Sequence, residues 1–176
     1  ALRERAGAQE HFIDLCRMLD QPTPADVDPA GDWYTFEKGA EKLDGSDGYA
    51  DVWKRGHFAW EYKGKRKNLE AAYKQLLLYR EALENPPLLV VCDMDRFEVH
   101  TNYTGTKKVT HSFTLDALLK DPAEPLRILR AVMSNPAALK PDQTPEQVTE
   151  DAAGRFAELA MRLQARNHDP LVVAHF

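Results

Sequence analysis

The 176-residue chain carries 23 Lys and Arg against 28 Asp and Glu, a formal net charge of −5, with 43% apolar and 9% aromatic residues. That length suits one domain, or one domain with an appendage, and nine glycines and eleven prolines are too few for a fibrous or low-complexity chain. The acidity argues against a simple nucleic-acid coat, no apolar run nears the ~20 residues of a membrane span, and the first residues hold no apolar signal core, so a cytoplasmic protein is expected.

Ala8, Phe12, Leu15, Cys16 and Leu19 recur at spacings of three and four, which predicts an amphipathic helix from Arg3 to Leu19. Pro22 and Pro24 end it. Three strand-like runs follow: Trp33 to Lys38, then Tyr49 to Trp53 after the Gly-rich loop Asp44 to Gly48, then His57 to Lys63 after a turn at Lys54-Arg55-Gly56. They read as an antiparallel meander. Asn68 caps a helix expected to run to Leu83, with Leu69, Ala72, Leu76, Tyr79 and Leu83 on one stripe, and Asn85-Pro86-Pro87 stops it. Leu88 to Cys92 shows no polar alternation and fits a strand buried on both faces, paired with Arg96 to Thr101. The strand-helix-strand order sets a parallel pair beside the meander, so the class is α/β with a central mixed sheet flanked by helices. Short helices around Asp116 to Leu119 and Pro125 to Met133 close the unit.

Prolines at 136, 141 and 145 then punctuate the chain before a long amphipathic helix from Thr144 to Asn167, with Val148, Ala152, Phe156, Leu159 and Leu163 on one face. The chain starts at Ala1 without Met and stops within the apolar stretch Leu171 to Phe176, so a fragment of a longer polypeptide is expected. The division expected is a catalytic domain over 1–135, with a linker and connector helix over 136–176 leading to a further domain. Only two cysteines occur, too few for a four-cysteine zinc site, and Cys16 and Cys92 each sit in an apolar run that suits a buried thiol.

One cluster carries chemistry. Asp51 lies on one strand, and after nine intervening residues the next strand carries Glu61-Tyr62-Lys63. Side chains at i and i+2 share a strand face, so Glu61 and Lys63 point together and Tyr62 points away, while a tight turn brings Asp51 alongside. Two close carboxylates repel, and a divalent cation such as Mg²⁺ relieves that repulsion by taking oxygen ligands. Such a cation activates water, and a neighbouring ammonium offsets the charge that develops on phosphorus oxygens during phosphodiester hydrolysis. The bland alternative is a solvated face with a surface ion pair worth ~0–1 kcal/mol. Phe58, Ala59 and Trp60 weigh against it, because they place the charges at the end of a buried strand.

This spacing matches the PD-(D/E)xK nuclease motif, and Gln75-Leu76-Leu77-Leu78-Tyr79 matches the Gln-hydrophobic-x-x-Tyr motif of RecB-like members. Residues 58–65, 72–75 and 89–93 resemble the N-terminal nuclease domain of MmeI-like type IIL restriction–modification enzymes, in which endonuclease, adenine methyltransferase and target-recognition parts share one chain. The resemblance covers roughly residues 4–120. It implies a restriction-endonuclease-like core, Mg²⁺ ligands at Asp51 and Glu61 (Mn²⁺ can substitute), a water-orienting Lys63, and Gln75 near Lys63 or the scissile phosphate. S-adenosylmethionine would enter only through the methyltransferase part. Ala50 stands where the motif name has Pro, and Glu4 or Glu10 on the first helix could add a further acid, Glu4 being the better match.

Between Asp51 and Arg80, eight basic residues face three acidic ones, a local +5. Lys65, Arg66 and Lys67 beside Gly64 are therefore expected to contact DNA phosphates, the plain alternative being a solvated loop. Asn85-Pro86-Pro87-Leu88 lacks the stacking aromatic and glycine-rich loop of an adenine methyltransferase and reads as a helix stop. The six histidines show no metal-binding spacing. The leading expectation is a Mg²⁺-dependent endonuclease domain of a fused restriction–methyltransferase enzyme acting on double-stranded DNA. The rivals are a RecB-like exonuclease or nickase, and a catalytically idle DNA-binding module of a phage-defence methyltransferase.

Overall fold

The computed structural model describes residues 2–41, 47–65, 67–142 and 145–165. Six strands form one sheet in sequence order: β1 (Tyr34–Glu41), β2 (Asp47–Lys54), β3 (Phe58–Tyr62), β4 (Leu88–Cys92), β5 (Arg96–Thr101) and β6 (Thr110–Thr114). Every neighbouring pair is antiparallel except β3 and β4. Those two run parallel because a crossover helix returns the chain across one face of the sheet. The expected α/β class, with a central mixed sheet flanked by helices, is present.

Helix α1 (Leu2–Met18) buries Ala8, Phe12, Leu15 and Cys16, and a single turn, α2 (Pro24–Val27), follows. The crossover helix α3 (Leu69–Tyr79) starts where Asn68 Oδ1 accepts the Ala71 amide. Helices α4 (Leu115–Lys120) and α5 (Ala123–Ser134) and a 3-10 turn, Pro136–Leu139, complete the order before α6 (Pro145–Ala165). One sheet face packs Phe58, Trp60, Tyr62, Val90 and Phe97 against Phe12 of α1 and Leu129 and Val132 of α5. The other packs Ala59, Leu89 and Val91 against Leu69, Ala72, Leu76 and Tyr79 of α3.

Gly56, at φ 68°, turns the three-residue loop between β2 and β3, a conformation a residue with a Cβ resists. Three expectations change. Asp47 and Gly48 begin β2, while residues 42–46 of the expected loop lie outside the described residues. Helix α3 stops at Tyr79, since Glu84 and Asn85 take φ values of 63° and 48° and reverse the chain; Leu83 stays buried, its carbonyl accepting the Trp53 indole N–H at 2.9 Å. Strand β6 was not expected, because only Phe113 of its five residues is a large apolar one, stacked on Phe97 at 4.9 Å.

The chain divides into two compact units, Ala1–Tyr103 with Lys108–Lys140, and Thr104–Lys107 with Pro141–Phe176. The first holds the sheet. The second holds α6, on which Phe156, Leu159 and Met161 are exposed. No described helix is long and apolar enough to cross a membrane.

Candidate active site

The site forms where the ladders around Asp51 break. Strands β1 and β2 pair from Tyr34 opposite Lys54 to Glu41 opposite Asp47, but the register skips Glu37 and Asp51, and Glu37 has φ 52° inside the strand. A positive φ at a residue bearing a Cβ is costly and kinks a strand. Side-chain phase in β2 changes there: Val52 enters one core cluster, whereas Ala50 and Trp53 both enter the other. On its other side, β2 pairs with β3 from Lys54 opposite Phe58 to Val52 opposite Trp60, and the pairing then ends. Beyond that point the Tyr62 amide donates to Asp51 Oδ2 at 2.7 Å, so a carboxylate takes over from the ladder.

Strand β3 stays buried to its end, and Glu61 is only 4% exposed. The Lys63 amide donates to the Cys92 carbonyl at 2.8 Å, extending the parallel pairing by one residue and fixing where the lysine leaves the strand. Lys63 Nζ donates to Glu61 Oε1 at 2.8 Å and to Gln75 Oε1 at 3.0 Å. The Tyr79 hydroxyl, one helical turn beyond Gln75, donates to Glu61 Oε2 at 3.1 Å. Tyr79 thus both packs in the core and holds the glutamate. Tyr62 points to the opposite face, where its hydroxyl meets His11 Nδ1 at 2.9 Å.

Burial, and next the charge of Asp51, push the Glu61 carboxyl up to about 7, although the Lys63 and Tyr79 hydrogen bonds work the other way. Burial also raises Asp51 against the pull of the Tyr62 amide and the Lys63 charge. Two carboxylates with raised proton affinity that line one open cavity form an oxygen donor set suited to a hard divalent cation. Mg²⁺ commonly takes one or two protein carboxylates and keeps several waters. Asp51 and Glu61 fit that pattern, while no group of three or more His, Cys, Asp or Glu able to hold a metal occurs among the described residues.

These groups open on one cavity of about 660 Å³, lined among others by Arg5, Tyr49, Asp51, Glu61, Lys63 and Lys67. The structure therefore brings together Asp51, Glu61, Lys63 and Gln75, and adds Lys67 on the rim. Lys65 is exposed on the same loop, and Arg66 lies outside the described residues. Glu10 is exposed and does not line the cavity, and the side chain of Glu4 is outside the described residues. Sequence reasoning missed Arg5, Glu37 and Tyr49. Arg5 Nη2 donates to the Tyr49 hydroxyl at 2.7 Å, and Arg5 Nη1 lies 3.7 Å from Glu37 Oε2. No local spacing announces them, because they meet only through the kink.

A mixed sheet with a parallel central pair, a crossover helix and an Asp, Glu-x-Lys, Gln set at the strand ends is the restriction-endonuclease-like arrangement expected from the motifs. Residues 1–166 match the family described as MmeI, N-terminal domain, and the chain belongs to that family. The resemblance to the N-terminal nuclease domain of MmeI-like enzymes thus holds. A solved structure described as a cryoEM structure of a DrdV–DNA complex aligns with a TM-score of 0.40 and 14% identity. The alignment covers 94% of this chain and 16% of that one, so this chain spans about a sixth of that relative. No curated protein matches.

Proposed function

We propose that the chain is a metal-dependent endonuclease domain that hydrolyses phosphodiester bonds of double-stranded DNA within a fused restriction–methyltransferase polypeptide. Residues 1–135 would form the nuclease, and 136–176 the linker and connector helix toward a methyltransferase, where S-adenosylmethionine would bind. The observation that carries this reading is the chain of hydrogen bonds from Tyr79 through Glu61 and Lys63 to Gln75, set beside Asp51 in an open cavity. An ammonium held by two acceptors at the mouth of a cleft is preorganised for a negative ligand.

Asp51 and Glu61 would hold Mg²⁺, or Mn²⁺ in its place, which supplies charge neutralisation and water activation. Lys63 orients the attacking water and offsets negative charge on the non-bridging oxygens as one P–O bond forms to water and the opposite one breaks. The products are a phosphate monoester and a hydroxyl. Gln75 aims Lys63, and Tyr79 fixes the rotamer of Glu61. Lys65, Arg66 and Lys67 would contact backbone phosphates along the same rim.

The test is cleavage of supercoiled plasmid by the complete polypeptide with Mg²⁺, comparing wild type with Asp51→Ala and Lys63→Ala. Linear product from the wild type alone is expected. Cleavage surviving both changes would remove this site as the catalyst. Nicked circles as the end product would identify a nickase, a need for free ends an exonuclease, and DNA bound but never cut an idle module.

A further inference from the structure

We infer that Arg5, which lines the same cavity as Lys63 and Lys67 but comes from α1, is a substrate-binding residue that holds a second backbone phosphate of the DNA strand. The inference rests on the nuclease reading of the cavity. Among the described residues three cations line that cavity, and they come from two parts of the chain: Lys63 and Lys67 belong to the β3–α3 segment, and Arg5 to α1. A strand laid across Asp51 and Glu61 brings phosphates to both sides of the scissile one, and a cation from a second element adds a basic contact beyond those of the β3–α3 segment.

The Arg5 side chain is built into position. Its guanidinium donates to the Tyr49 hydroxyl at 2.7 Å, and its Cζ lies 5.0 Å from the Tyr49 ring centroid. Tyr49 lies on β2 two residues before Asp51, so one strand presents both the metal-binding carboxylate and the arginine's support. Glu37, which the kink at φ 52° turns toward α1, makes the second contact at 3.7 Å. That contact is loose and exposed, with side-chain exposures of 43% and 42%, so it orients the guanidinium without consuming its charge. A guanidinium offers five N–H donors in a planar fork, and one hydrogen bond uses it here among the described residues. The remaining donors suit bidentate capture of a phosphate. A positive φ at a strand residue that touches this arginine is the kind of backbone cost found where a binding group must be aimed.

The experiment measures binding of a duplex oligonucleotide by the complete polypeptide across a KCl series, with Ca²⁺ replacing Mg²⁺ to prevent turnover. Wild type is compared with Arg5→Ala, Arg5→Lys and Tyr49→Phe, and melting temperatures control for folding. Arg5→Ala is expected to weaken binding roughly tenfold and to reduce the slope of log K against log[KCl] by about 0.9, the signature of one lost phosphate contact. Arg5→Lys restores the slope because the charge remains, while affinity stays several-fold below wild type because the fork is gone. Tyr49→Phe keeps the slope and lowers affinity, since it removes only the hydroxyl that aims the guanidinium. A purely structural role would lower the melting temperature and leave the slope of the folded fraction unchanged. Wild-type binding and cleavage with an unaltered slope and affinity in Arg5→Ala would overturn the assignment of Arg5 alone. A wild type that neither binds nor cuts duplex DNA would overturn the nuclease reading, and this inference with it.

Discussion

Strand β3 passes between two environments, and its alternate residues answer to different demands. Phe58, Trp60 and Tyr62 enter the aromatic cluster with Phe12, Tyr34 and Phe97, where Phe12 meets Trp60 edge-on at a centroid distance of 5.3 Å and Trp60 stacks on Tyr62 at 5.7 Å. Ala59 and Glu61 face α3, where the small Ala59 lets the helix approach and the glutamate ends the row. The first face buries large apolar surface and stabilises the fold. The second buries a carboxylate whose proton affinity is raised, which costs stability and creates a site that a cation can relieve. One five-residue strand thus separates structural and chemical roles by the two-residue period of its side chains.

Substitutions on the two faces should part company. Trp60→Ala empties the centre of the aromatic cluster and is expected to lower unfolding free energy by about 3–5 kcal/mol, measured by urea titration. A loss below ~1 kcal/mol would mean the cluster repacks and the division of roles is weaker than drawn. Lys63→Ala should reverse the pattern, cutting single-turnover cleavage on the order of 10²–10³-fold. Stability should stay within ~1 kcal/mol, because Glu61 can take up a proton once its partner is gone. Equal damage to folding and cleavage would deny that this face is specialised.

The pH dependence sharpens the same contrast. Glu61 has its folded-state pKa raised from 4.5 to about 7, so the folded state binds the proton more tightly than the unfolded chain. The corresponding stability is complete below pH 4.5 and is lost as pH rises to about 7, up to about 3 kcal/mol in metal-free protein. Glu61→Gln should remove most of that slope, read from urea midpoints at pH 4.5, 6 and 8. An identical slope in the variant would place the titrating group elsewhere. The smallest effects come from two hydroxyls on opposite faces. Tyr62→Phe, which removes the contact to His11, should cost about 1 kcal/mol of stability and leave the cleavage rate alone. Tyr79→Phe should instead slow cleavage several-fold by freeing Glu61, and a cleavage rate untouched by it would reduce Tyr79 to packing.

Much of the fold and the core of the site could be read along the chain, because their signals are local. Asp51, Glu61 and Lys63 follow strand periodicity, Gln75 follows helical spacing from the Asn68 cap, and Leu88 to Cys92 states its two-sided burial by composition. Gly56 announces the tight turn that joins β2 to β3 and so brings the carboxylates together. Family membership agrees with the order of those motifs. Helix α3 ends one turn before its apolar stripe does, because the stripe continues through Leu83 in non-helical backbone. Strand β6 carries little signal in the sequence because an edge strand with one solvated face needs little apolar alternation.

Other features exist only in three dimensions. The φ of Glu37, the missed pairing opposite Asp51, and the meeting of Arg5 with Tyr49 across 44 positions of sequence depend on how α1 and β1 press against β2. So does the pKa of Glu61, since residue type sets its ordinary value and only burial beside Asp51 moves it. The sequence by itself determined which groups could act, through residue type and a period of two or four. Tertiary structure decided how dry, how close and how strained those groups are, because desolvation, Coulomb energy and backbone strain depend on distance in space and not on separation along the chain.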